Sequence, residues 1–70
     1  MSEATFVAIV PKDRRQQLRG LLAERSFDQV AWRERKRWLA SEFYLTGPPA
    51  AARQAHHRVI QWLARWDTRL

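Results

Sequence analysis

Cysteine is absent from this 70-residue chain, so neither a disulfide nor a thiolate metal site can staple it. That absence fits a reducing compartment, and a cytoplasmic location is expected. No apolar run approaches the roughly 20 residues that cross a bilayer. The short apolar patch at residues 6–10 follows an acidic Glu3, unlike the basic start and longer apolar stretch of a secretory leader. Glycine and proline number only two and three, which argues against wholesale disorder.

Recognisable chemistry is missing too. There is no Gly-rich phosphate loop. The histidines occur only as the pair His56-His57. On a helix such neighbours point about 100° apart, and no Asp, Glu or Cys lies three or four residues away to complete a metal site. His56 falls on an apolar seam and reads as a satisfied, partly buried histidine. Nothing places Ser, His and Asp as a triad. The sequence therefore predicts a binding protein and not an enzyme, with no catalytic set, no metal and no cofactor.

What is present is positive charge and tryptophan. Thirteen Lys and Arg against seven Asp and Glu give a formal charge of +6, and there are four tryptophans. A surplus of that size on a small body favours polyanions, acidic protein surfaces or anionic lipid. A chain this short buries only about 60% of the surface that it exposes when unfolded. Pairing into a homodimer is a natural source of extra stability for a small domain without staples.

The apolar spacing predicts one all-α domain of three helices, preceded by a short apolar arm or strand. Residues 6–10 are β-branched and apolar, with no evident strand partner inside the chain. A first helix is expected over residues 11–25, with Pro11 at its start, Asp13 in its first turn and Leu18, Leu21 and Leu22 at helical spacing. Gly20 costs such a helix about 1 kcal/mol relative to Ala unless it admits a close neighbour. Ser26 with Gln29 forms a capping-box pattern, and a second helix is expected over residues 27–45, stopped by Gly47-Pro48-Pro49. On a helical wheel Phe27, Ala31, Trp38 and Leu45 share one face, while Trp32, Leu39 and Phe43 form another. A third helix is expected over residues 49–67, with Ala52, His56, Val59, Leu63 and Trp66 as a heptad-like seam, widened by Ala55 and Trp62.

The segment Trp32-Arg33-Glu34-Arg35-Lys36-Arg37-Trp38 carries four cations between two tryptophans. Glu34 can satisfy only one or two of them, Arg37 for instance, so the remainder needs water or an anionic partner. The order of parts permits a helix-turn-helix layout. On that reading Arg33, Lys36 and Arg37 contact nucleic acid, DNA by preference, and Arg14, Arg15 and Arg19 add backbone contacts. A rival reading is a protein-binding regulator, an inhibitor, antiactivator or adaptor, that docks on an acidic protein through Trp32, Leu39, Phe43 and Tyr44, since Trp, Tyr and Arg dominate binding hot spots. A membrane-surface role for the third helix, with Trp62 and Trp66 opposite its arginines, is disfavoured because such a helix packs on its neighbours.

Overall fold

A computed structural model describes residues 2–67, with side chains through Arg65. It shows a two-layer α/β domain in place of the expected three-helix bundle. Strand β1 (Ala4–Pro11) leads through a short 3-10 turn into helix α1 (Arg15–Leu22). A second 3-10 turn (Arg25–Phe27) precedes β2 (Ala31–Lys36), which pairs with β3 (Ala40–Gly47) as a hairpin. Helix α2 (Pro49–Asp67) is the last described element. All the pairing is antiparallel and the sheet order is β1-β3-β2, so the last strand is the central one.

Why residues 27–45 are not a helix is visible in β3. Ser41, Phe43, Leu45 and Gly47 are buried, while Glu42, Tyr44 and Thr46 between them are not. This period of two is a strand's. The register continues the alternation sideways: Ala8 and Glu34 flank Phe43, and Phe6 and Trp32 flank Leu45. The apolar segment at residues 6–10 thus has a strand partner inside the chain, contrary to the sequence expectation. The two apolar stripes drawn on a helical wheel do not exist, because Phe43 and Leu45 share a sheet face while Trp38 and Leu39 lie in the hairpin turn.

Both helices cover the same sheet face. Leu18 and Leu22 of α1 and Ala55 and Val59 of α2 join Ala8, Val10, Phe43 and Leu45 in one core, closed by Phe27 and Val30. Leu21, Trp32, Trp62 and Leu63 pack at its margin. The interfacial-helix reading fails on this packing, because the apolar side of α2 lies on the sheet. The Trp66 side chain of the expected seam lies outside the described residues. Among those residues no helix is long and apolar enough to cross a membrane. Gly20 does not admit a neighbouring helix, since a Cβ there meets nothing within 4 Å. Gly47 is the glycine that packing demands: a Cβ would lie 2.7 Å from the Gln29 carbonyl oxygen.

Candidate nucleic-acid interface

Among the described residues the second sheet face carries no helix, and its rows follow from the register. Val7, Tyr44 and Arg33 form one row, and Ile9, Glu42 and Arg35 the next. The face is therefore graded, apolar along β1 and basic along β2, with polar residues between. Thr5 and Thr46 share a hydroxyl hydrogen bond of 2.8 Å on it. Tyr44 donates its hydroxyl to Glu42 at 2.8 Å. Holding that proton, Glu42 raises the Tyr44 pKa above its ordinary value, burial adds to the rise, and Arg35 pulls it the other way. A cleft of about 290 Å³ opens beside Arg33, Glu34, Arg35 and Tyr44.

The structure separates the six cations that the sequence grouped for nucleic acid. Arg33 is exposed on the open face, and Lys36 ends β2 in solvent. Arg37 lies in the hairpin turn and pairs with Glu42 at 3.4 Å, an exposed contact of little energetic weight. Arg19 faces inward. Its Nε and Nη2 donate to Glu34 at 2.8 and 3.0 Å, so its guanidinium is engaged within the domain. Arg15 donates from Nη2 to the Arg37 carbonyl at 2.7 Å and the Ala40 carbonyl at 3.3 Å, fastening the turn to α1. Arg14 is half-buried in the turn before α1. Arg35, which the sequence reading omitted, stands beside Arg33, because alternate residues of a strand share a face.

Glu34 does not pair with Arg37, as helical spacing suggested. It points inward from β2, with only 10% of its side chain exposed, and accepts Ser41 Oγ at 2.7 Å as well as Arg19. The Arg19 hydrogen bond holds its pKa below the ordinary carboxylate value against the opposing effect of burial, and Ser41 adds to the lowering.

The proposed protein-docking stripe is split in the same way. Phe43 is fully buried, and Trp32 packs on it at 5.6 Å between ring centroids. Tyr44 lies on the open face, and Leu39 is in the turn, 65% exposed. Trp38, expected on one apolar helix face with Phe27, Ala31 and Leu45, is 88% exposed at the hairpin tip. Lys12 joins this end of the molecule through its backbone N–H, which donates to the Leu39 carbonyl at 3.0 Å.

His56 is half-buried, stacked on Phe6 at 5.4 Å, with Nε2 donating to the Val7 carbonyl at 3.0 Å. Among the described residues no three His, Cys, Asp or Glu side chains gather as a metal site. Set against family models, curated proteins and solved structures, the chain matches none.

Proposed function

We propose that this domain binds single-stranded nucleic acid in the cytoplasm, along the basic edge of its sheet and the tip of the β2–β3 hairpin. The observation that carries this reading is the near-complete exposure of Trp38 at the end of a run of exposed cations, Arg33, Arg35, Lys36 and Arg37. A tryptophan in water presents its full π-face. Every base can stack on it when unpaired, at about 1–3 kcal/mol per base. The arginines of β2 line the path that a phosphate backbone would follow away from that base. A recognition helix in a major groove is not part of this reading, because the cationic segment is a strand.

Fluorescence anisotropy with a labelled single-stranded oligonucleotide tests it. Four neutralised phosphates give a slope of log affinity on log salt of about −3 for a single strand. Trp38→Ala should weaken binding about ten-fold or more through lost stacking, and Arg33→Glu with Arg35→Glu should abolish it. No binding at low salt would sink the proposal.

Exposed Leu39 beside Trp38 favours a second reading, docking of the tip in an apolar groove of an acidic protein. Trp38→Ala and Leu39→Ala would then both be severe, and the salt dependence would be shallow.

A further inference from the structure

A hollow of about 400 Å³ lies at the end of the sheet away from the hairpin tip, between α2 and the segment that leads into β2. Its size is that of a small-molecule cleft. No residue lining it belongs to the nucleic-acid path on β2.

Both walls are fixed by the fold. Residues 24–30 run as successive tight turns, in which Phe27, Asp28 and Val30 donate backbone N–H groups to the carbonyls of Glu24, Arg25 and Phe27 at 3.0, 3.0 and 3.1 Å. Phe27 and Val30 anchor this wall in the core, and the Gln29 carbonyl lies so close to Gly47 that a Cβ would collide with it. Arg25 and Asp28, three residues apart in a 3-10 turn, project to one side, and both line the hollow. The facing wall is α2, where Gln54 and Arg58 stand one turn apart.

Arg58 is held in place before any ligand arrives. Its guanidinium lies over the Phe27 ring, 4.9 Å from the centroid, and Nη1 donates to Ser26 Oγ. A guanidinium has five N–H groups, so this contact leaves others for a ligand. Stacking fixes the plane of the fork, and a fork so fixed loses little entropy when it captures an oxyanion. Arg25 supplies a second guanidinium, and it lines the hollow with Asp28 without forming an ion pair with it. Two cations against one carboxylate leave the hollow positive.

We propose that this hollow binds a small phosphorylated sugar. A phosphate monoester brings about two negative charges and three acceptor oxygens, which suit the paired guanidiniums of Arg25 and Arg58. Asp28, when ionised, only accepts hydrogen bonds and repels a phosphate, so its partner is a donor on the rest of the ligand. Gln29 and Gln54 each donate and accept, as recognition of hydroxyl groups requires. Val30 and Ala55, both buried, give the hollow an apolar floor for the C–H face of the sugar. Inorganic phosphate satisfies the arginines alone, whereas a sugar phosphate satisfies Asp28 as well. The site does not depend on the nucleic-acid reading.

Titration of the full chain with ribose 5-phosphate, followed by heteronuclear NMR, tests the proposal. Saturable shifts should be confined to the amides of residues 25–29 and the side-chain amides of Gln29 and Gln54. Inorganic phosphate should move the same signals with weaker affinity. Arg25→Gln, at an exposed position, should raise the ribose 5-phosphate dissociation constant about ten-fold, the loss of one charge-assisted hydrogen bond. Arg58→Lys keeps the charge without the stacked fork and should do the same. Asp28→Asn removes the acceptor for the sugar and the repulsion of phosphate together, so it should narrow the gap between the two probes. The proposal is overturned by no saturable shift at millimolar ribose 5-phosphate, by equal shifts at Arg33 and Arg35, by a dissociation constant that Arg25→Gln leaves unchanged, or by a gap that Asp28→Asn does not narrow.

Discussion

Glu34→Ala removes the carboxylate that ties α1 to β2, and its cost can be worked from the contacts. The bidentate pair to Arg19 at 2.8 and 3.0 Å belongs to the charge-assisted class that contributes roughly 1.5–3 kcal/mol when buried. Arg19 keeps 36% of its side-chain exposure, so solvent screens the pair and its share is small beside the loss at Ser41. Ser41 adds a separate loss. Its hydroxyl is fully buried and donates to Glu34. Without that acceptor it becomes an orphaned polar group costing about 1–2 kcal/mol. The variant should therefore be less stable in urea unfolding by at least the Ser41 loss of about 1–2 kcal/mol, a large fraction of what a domain this small possesses. The two losses are separable. Ser41→Ala in the Glu34→Ala background removes the orphan, so the double variant should be more stable than Glu34→Ala alone. A Glu34→Ala variant within 0.5 kcal/mol of the parent, or a double variant weaker than Glu34→Ala, would falsify this accounting.

The same carboxylate sets an acid limb of stability. Its folded-state pKa lies below the ordinary 4.5, so its contribution is complete above that value and fades as pH falls toward the folded-state pKa. The urea midpoint should drop over this window, and Glu34→Gln should flatten the drop. Gly20→Ala should stabilise the domain by about 0.5–1 kcal/mol, since the helix gains propensity and the new Cβ meets nothing. A lower melting temperature would contradict that. Gly47→Ala should cost about 1–3 kcal/mol, because its Cβ would press on the Gln29 backbone. Thermal unfolding of the two glycine variants should thus shift in opposite directions.

The helix at the C-terminal end and the strand character of residues 6–10 were legible from local pattern alone. The hairpin was not. Residues 31–40 read AWRERKRWLA, a string of strong helix formers. Their strand conformation comes from pairing with β3, a tertiary effect that outweighs propensity. The alternation in ASEFYLTG was present, but its inward positions include Ser41 and Gly47, which do not mark a core face. Likewise Arg19 and Glu34, fifteen residues apart, have no local signal as a pair. Once α1 is known to cover the sheet, Arg15, Leu18, Arg19 and Leu22 fall on its inward side at helical spacing. The cationic cluster is contiguous in the sequence. Only the period of two could divide it into an outward Arg33 and Arg35 and an inward Glu34.

Arg15 carries a consequence for how the hairpin tip would meet a partner. By holding the carbonyls at both ends of the turn, it makes the presentation of Trp38 a property of the folded core and not of a free loop. The entropy of ordering the tip is lost when the protein folds, so little remains to be lost on association. Affinity at the tip and packing beneath α1 are then linked. A change at Arg15 would let the turn sample more conformers, and affinity at the tip would fall in proportion to the fraction that still presents Trp38 as the folded domain does.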